Sequence, residues 1–281
     1  MIQQQLAPAK INLSLHVTGR RADGYHLLQS LVVFADFGDT LRVELADQMA
    51  LNVTGPMAAG VPMDHRNLAW RAAALFDRPA SIGLEKHLPA EAGIGGGSAD
   101  AAAVIRAMTN LTGTPIDLTA QAQLGADVPV CVLGQAAVMQ GIGEQIQPIA
   151  NCPSFHAVMV NPGARLSTPS VFSALQRPDN PAMTDLPQTR DPAVWLDWLR
   201  NARNDLQAPA IALAPVIATC LDVIADGPGC LLARMSGSGA TCFGLYANAQ
   251  QAAAAADDIA SAHPDWWVRA CQFNAAPCGP S

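Results

Sequence analysis

The chain has 281 residues, half of them hydrophobic and 14% charged, which supports one large core or two smaller ones and excludes disorder on a large scale. A formal net charge of −7 removes any global electrostatic pull toward nucleic acid. No apolar run reaches the roughly 18 residues of a membrane span, and the start, Met1-Ile2-Gln3-Gln4-Gln5, lacks the basic residues and apolar stretch of a secretion signal. The expectation is a cytoplasmic chain with neither nucleic acid nor membrane as a partner.

Taken in order, the first third reads as short strands. Residues 9–17 (AKINLSLHV) alternate apolar and polar in the manner of a half-buried strand, and 27–34 and 40–45 are similar, with a turn over 19–24. Residues 67–76 read as a helix with Asn67 as N-cap, and 81–87 as a strand. A loop over 89–97 leads into an alanine-rich helix over 98–111, a short helix over 118–124, and strand-like apolar runs over 127–133 and 136–140. Beyond residue 153 the pattern gives a strand over 156–161, a short helix over 169–175 and a long proline-containing loop over 177–193. Residues 204–225 are largely helical, 231–235 and 241–246 are strands around Ser236-Gly237-Ser238-Gly239, 249–262 is a helix and 266–271 a last strand. Strand clusters mixed with helices, without strict alternation, indicate an α+β fold of two lobes, 1–152 and 153–281.

Seven cysteines, at 131, 152, 220, 230, 242, 271 and 278, form no Cys-x-x-Cys pair and lie mostly in apolar stretches, the pattern of buried reduced thiols. The six histidines, at 16, 26, 65, 87, 156 and 263, lack zinc-ligand spacing. Of 16 basic residues 14 are arginine, which singles out the two lysines, Lys10 and Lys86; an ammonium is a compact point charge where a guanidinium is a wide planar fork.

The sharpest local signal is Gly93-Ile94-Gly95-Gly96-Gly97-Ser98 at the start of a helix. Glycines let backbone amides approach a ligand, and a helix N-terminus adds unpaired N–H groups and positive dipole, a combination suited to a polyphosphate. Ser98 is placed to cap the helix or to turn its hydroxyl toward a phosphate or Mg²⁺. A plain tight turn before a helix is the alternative. A P-loop needs a Gly-Lys-Ser/Thr that is missing here, and a dinucleotide fingerprint needs a third glycine where Ser98 stands.

Pro89 followed by Gly93 to Ala102 resembles the ATP-phosphate motif of the GHMP kinases, and two further stretches, Ala7-Pro8-Ala9-Lys10-Ile11-Asn12-Leu13 and Met235-Ser236-Gly237-Ser238-Gly239-Ala240-Thr241, fit that family in the same order. Arg21-Ala22-Asp23-Gly24-Tyr25-His26, Gly125-Ala126-Asp127-Val128-Pro129, Ser167-Thr168-Pro169 and Asn204-Asp205-Leu206 narrow the resemblance to the branch that phosphorylates the 2-hydroxyl of 4-diphosphocytidyl-2-C-methyl-D-erythritol, in the non-mevalonate route to isoprenoid precursors.

The resemblance implies a two-lobed fold, with an N-terminal ribosomal-protein-S5-like lobe that binds ATP phosphates and carries the catalytic groups, and a C-terminal ferredoxin-like lobe. It implies ATP with Mg²⁺ as cofactors and a small-molecule substrate. Asp127 becomes the base that accepts the hydroxyl proton, and Lys10 lies beside it and steadies the transferring phosphoryl group. Pro89, Gly93, Ile94, Gly95, Gly96, Gly97 and Ser98 form the phosphate loop, while Asn67, Leu68 and Lys86 contact the adenine. Asn12, Tyr25 and His26 meet the cytidine, Phe172 covers its ring, and Thr168, Gly237 and Ser238 hold the rest of the substrate. The chain departs from the family pattern at Ala90-Glu91-Ala92, where glycines are usual; the Glu91 carboxylate is expected to point outward, away from the phosphates.

Overall fold

The computed structural model describes residues 1–275. Its elements in chain order are β1 (Ile2–Arg20), β2 (His26–Leu45), β3 (Ala50–Thr54), α1 (Leu68–Ala73), β4 (Ala80–Glu85), α2 (Gly96–Thr112), α3 (Leu118–Leu124), α4 (Val128–Leu133), β5 (Ala137–Gly141), β6 (Gln145–Pro148), β7 (Phe155–Asn161), α5 (Thr168–Ser173), α6 (Pro192–Asn201), α7 (Gln207–Leu213), α8 (Val216–Asp226), β8 (Leu232–Met235), β9 (Cys242–Tyr246), α9 (Ala249–Ala262) and β10 (Trp267–Phe273). They form two compact units that interleave along the chain. Unit 1 comprises Met1–Lys10, Phe37–Ala90 and Gly95–Gly134; unit 2 comprises Ile11–Asp36, Glu91–Ile94 and the chain from Gln135 onward. The division at 152/153 read from the sequence is linear, whereas these units are spatial.

β1 is longer than its sequence pattern and is not half-buried. Ala7, Ala9, Ile11, Leu13, Leu15 and Val17 are 5% exposed or less, and so are Lys10, Asn12, Ser14 and His16 between them. Alternation therefore separates an apolar face from a polar face that is also removed from water, so each polar group on it needs a partner.

In unit 1 the second half of β2 pairs antiparallel with β4, from Thr40↔Glu85 to Leu45↔Ala80, and β3 runs parallel to β4. Helix α2 packs through Ala99, Ala101, Ala102, Ala103 and Ala107, all essentially inaccessible, against α1 and α4; side chains this small permit close helix approach. Gly113, at φ 73°, ends α2 in the left-handed conformation. The run 127–133, strand-like in sequence, is the helix α4. Pro129 in its first turn and Gly134 as a left-handed C-cap are helix-boundary signals, and they outweigh the β-branched run because the segment is too short for periodicity to decide.

In unit 2 the order β10-β7-β9-β8 is antiparallel throughout. With α8 leading into β8 and α9 joining β9 to β10, this is the split β-α-β-β-α-β arrangement of a ferredoxin-like fold. Cys220 and Ile224 of α8 and Ala252, Ala255 and Ile259 of α9 cover Val158, Val160 and Cys242. Helix α6 begins in the last two residues of the proline-containing loop and runs through a stretch to which the sequence reading assigns no element. Pro192 occupies its first turn and Asp191 caps it by accepting the Ala193 N–H, so the proline starts a helix there. Pro215 divides the expected 204–225 helix into α7 and α8.

Cys131, Cys152, Cys220 and Cys242 are buried and free, Cys230 and Cys271 are free and partly buried, and Cys278 lies outside the described residues. Burial pushes the Cys131 and Cys152 thiols up to about 12, which keeps them unreactive. Among the described residues no helix is long and apolar enough to cross a membrane. Glu91, at φ 52°, adopts the left-handed backbone that favours glycine, and its side chain is exposed, pointing outward.

The most connected buried cation of unit 2 is Arg234, 7% exposed, which donates to the carbonyls of Leu13, Leu199 and Ala202. Burial lowers its guanidinium to about 10, and no carboxylate among the described residues compensates. It ties the end of α6 to β1. Arg234→Ala is expected to lower stability by about 3 kcal/mol or more, since each buried carbonyl left unpaired costs about 1–3 kcal/mol. Chemical denaturation measures this, and a loss under 1 kcal/mol would show that water replaces the guanidinium.

Candidate active site

The glycine loop enters α2 at Gly95, its N-cap, at φ 65° and with no side chain capping the helix. Ser98 is thus the third residue of α2 and not the cap expected from the sequence. The first intrahelical bond runs from the Ala99 N–H to the Gly95 carbonyl at 2.8 Å, which leaves the amides of the first turn free of helical partners. Uncapped amides at a glycine-lined helix start fit an anion such as a nucleotide polyphosphate.

Four of unit 1's glycines make close approaches that bring the named side chains around this turn. A Cβ on Gly95 would stand 3.2 Å from Lys10 Cβ, one on Gly96 would stand 3.6 Å from Lys86 Nζ, one on Gly97 would stand 3.5 Å from Leu68 Cδ1, and one on Gly125 would stand 3.7 Å from Ser98 Oγ. Lys10 Nζ donates to Asp127 Oδ2 at 2.8 Å. The lysine side chain is 6% exposed and the aspartate 33%, so the ammonium is held inside while the carboxylate still meets incoming molecules. Asp127 precedes α4 and makes no capping bond to it, which frees the carboxylate for Lys10.

Two expected adenine contacts have their side chains engaged within unit 1. Lys86 is 4% exposed, and its ammonium donates to Asp39 and, at 2.9 Å, to Asp100. It points inward between two carboxylates. Burial alone would lower its pKa, but the Asp100 and Asp39 carboxylates raise it. Asn67 uses its side chain to cap α1, accepting the Ala69 N–H and donating to the Pro62 carbonyl. Asp39 and Asp100 were not among the sequence candidates. Asp100 lies inside the glycine-loop motif, but Asp39 carries no signal in one dimension.

In unit 2 the second glycine turn packs on the Glu91–Ile94 segment. The Ser236 hydroxyl donates to the Gly93 carbonyl and accepts the Asn12 N–H at 3.0 Å, and the Thr241 N–H reaches the Ala92 carbonyl. A Cβ on Gly237 would meet the Gly93 carbonyl at 2.8 Å and Asn12 Oδ1 at 3.1 Å, so only glycine fits there. Asn204 Nδ2 donates to the carbonyls of Met235 and Gly237, clamping the turn from both ends. Asn12 Nδ2 donates to Ser30 Oγ, while its Oδ1 is buried with no partner among the described residues. Thr168 Oγ1 and Ser238 Oγ are 2.9 Å apart. His26 and Phe172 stack on each other with centroids 5.0 Å apart, and Tyr25 is 61% exposed. Burial, and then the Arg20 charge, lower the His26 imidazole, which favours its neutral form. Phe172 therefore backs His26 directly, and Tyr25 stands in solvent. Pro89 and Ile94 flank the loop, Ile94 fully buried as its apolar anchor.

The Asp100 carboxyl is pushed up to about 7 from 3.8, by burial first and also by Asp39, against the opposing pull of Lys86. A raised value in the fold means that its contribution to stability is complete below about pH 4 and is lost as pH rises through about 7. Asp100→Asn carries a neutral side chain at every pH. Its stability relative to the wild type is therefore expected to rise between pH 4 and 7 and then level off in urea titrations, whereas a pH-independent difference would contradict this origin.

Residues 67–138 match the GHMP kinases N terminal domain and residues 183–265 match GHMP kinases C terminal. A 4-diphosphocytidyl-2-C-methyl-D-erythritol kinase of Dinoroseobacter shibae is 55% identical over 264 residues, covering 93% of this chain and 92% of that one. One of Cereibacter sphaeroides is 54% identical over 269 residues, covering 94% and 97%. A crystal structure of 4-(cytidine 5'-diphospho)-2C-methyl-D-erythritol kinase superposes with a TM-score of 0.81 at 35% identity, covering 98% of this chain and all of the other. With both family domains matched in order and relatives above half identity along nearly the whole chain, this protein belongs to the GHMP kinases, ATP-dependent kinases of small molecules.

Proposed function

We propose that this chain transfers the γ-phosphoryl group of ATP to the 2-hydroxyl of 4-diphosphocytidyl-2-C-methyl-D-erythritol. The observation that carries the reading is the Lys10–Asp127 pair at 2.8 Å beside the uncapped start of α2, in a chain whose near full-length relatives bear that substrate in their names. ATP supplies the phosphoryl group and a leaving group, ADP. The rest is positioning and charge stabilisation, because phosphoryl transfer asks for little covalent chemistry from the protein.

The amides of Gly96, Gly97 and Ser98 hold the phosphates, and Leu68 offers an apolar contact beside them. Asp127 orients the substrate hydroxyl and accepts its proton as the oxygen attacks the γ-phosphorus and the bond to the β-phosphate oxygen breaks. Lys10 holds the Asp127 carboxylate by one oxygen and presents positive charge to the phosphoryl oxygens. Mg²⁺ is proposed as the ion that accompanies ATP. Among the described residues no group of three or more His, Cys, Asp or Glu side chains would hold a metal, and Mg²⁺ with nucleotides is carried largely by phosphate oxygens and water.

On the substrate side, His26, backed by Phe172, and the unpartnered Asn12 Oδ1 are proposed to meet the cytosine, one through a ring and the other through an acceptor. Tyr25, exposed beside them, is proposed to stack on the base when it binds. Thr168, Ser238 and Gly237 are proposed to receive the diphosphate and methylerythritol.

A coupled ADP-release assay with the cytidyl substrate, mevalonate and homoserine tests the assignment. Turnover is expected with the cytidyl substrate; turnover of mevalonate or homoserine in its place would refute it. Asp127→Asn is expected to fold normally and lose at least about 10²-fold in kcat, and a variant near wild-type kcat would make Asp127 structural only. Tyr25→Ala and His26→Ala are expected to raise KM for the cytidyl substrate well above any change in KM for ATP, since a lost stacking face costs about 1–3 kcal/mol. Equal changes in both constants would show that the base binds elsewhere.

A further inference from the structure

Asp39, Lys86 and Asp100 form a cluster in unit 1 to which the mechanism above gives no part. Their side chains are 0%, 5% and 4% exposed. Lys86 Nζ donates to Oδ2 of both aspartates. Asp39 Oδ1 accepts two backbone N–H groups, from His87 at 2.5 Å and Leu88 at 2.9 Å, so this carboxylate is anchored by β2 on one side and by the chain after β4 on the other. Asp100 Oδ1 is buried with no partner among the described residues. The lysine backbone is equally fixed: its N–H donates to the Thr54 carbonyl at 2.7 Å and its carbonyl accepts from Met57.

Stability alone does not account for such a cluster. Burying an ion pair in place of apolar side chains of similar size is often neutral or worse, and here one ammonium faces two carboxylates. What distinguishes the cluster is its location. The Lys86 ammonium is 3.6 Å from where a Cβ on Gly96 would be, against the backbone of the first residue of α2. A helix N-terminus presents the equivalent of roughly half a positive charge. A full ammonium packed beneath it, shielded from water, adds to the same field at the same point. Asp100 is the fifth residue of α2, and helical side chains lean toward the N-terminus, which brings its carboxylate to the ammonium from the helix side.

We infer that Lys86 is a positioning residue for the nucleotide phosphates: Asp39 and Asp100 hold its ammonium under Gly96, where its charge strengthens the anion cradle at the start of α2 from behind the backbone. The inference rests on the assignment of the glycine loop to ATP. It gives the three side chains distinct signs. Lys86 favours phosphate binding, Asp100 opposes it while holding Lys86, and Asp39 anchors the arrangement to the backbone of His87 and Leu88.

The test is calorimetric binding of ADP and of adenosine to the purified full chain, beside thermal melts. Lys86→Met is expected to weaken ADP binding by about tenfold and to leave adenosine binding within about twofold, since a charge beneath the cradle acts on phosphates only. At pH 8, where the Asp100 carboxyl is ionised, Asp100→Asn keeps an oxygen for the ammonium and removes one negative charge, so ADP is expected to bind about threefold more tightly, again with adenosine unchanged. Opposite signs for these two variants, confined to the phosphorylated ligand, are something a merely structural cluster would not produce. Equal loss of ADP and adenosine binding in Lys86→Met would return Lys86 to the adenine and overturn the inference, as would weaker ADP binding in Asp100→Asn. If Lys86→Met does not fold, the Asp100→Asn arm decides alone, because it retains the hydrogen bond to the ammonium. A wild-type chain that binds neither ADP nor ATP would instead refute the assignment of the loop itself.

Discussion

A polar group taken out of water must find a partner, and β1 takes four out in succession. Lys10, Asn12, Ser14 and His16 share one face of the strand, and none is more than 5% exposed. Each has at least one atom answered from another part of the chain, Lys10 by Asp127, Asn12 by Ser30, Ser14 by the Met183 thioether, and His16 by the N–H of Arg203, while Asn12 Oδ1 is left without a partner among the described residues. Burial, together with Arg203, lowers the His16 imidazole, which suits its part as an acceptor. Because an unanswered buried donor or acceptor costs about 1–3 kcal/mol, these pairings fix which segments lie beside β1. The Lys10–Asp127 pair thus has a structural origin.

The same requirement shapes the turns. Serine and asparagine side chains at Ser236, Asn12 and Asn204 satisfy the backbone of the second glycine turn, and the glycines remove the side chains that would hold the backbones apart. A turn clamped at the Met235 and Gly237 carbonyls presents Ser238 in one place, and Thr168 meets it there. The first glycine turn is organised in the opposite manner. Its amides are left without side-chain caps, an arrangement suited to an anion.

Charge is distributed in line with this division. The two lysines of the chain both lie beside the start of α2, whereas the half-buried Arg106 and the buried Arg234 serve backbone carbonyls. An ammonium concentrates charge at a point and packs beneath a glycine; a guanidinium spreads several donors in a plane and ties elements together.

Motif residues were legible in the sequence because they depend on local backbone. Glycines at Gly93, Gly95 and Gly237 mark positive φ angles and close approaches wherever the rest of the chain goes, and the strand period identified β7, β8 and β9 because each is an apolar run bounded by turns. Asn67 was legible as an N-cap for the same local reason. What depends on burial was not. The alternation of β1 looked half-solvated because periodicity reports which residues share a face and not whether water reaches it. The short apolar segment at 128–133 carried too few residues to separate helix from strand. The inward turn of Lys86 was decided by Asp39 and Asp100, residues 47 and 14 positions away that meet it only when β2, β4 and α2 pack. Local conformational preference is written residue by residue, whereas the partner of a buried charge is chosen by the tertiary structure, since only packing excludes the water that would otherwise solvate it.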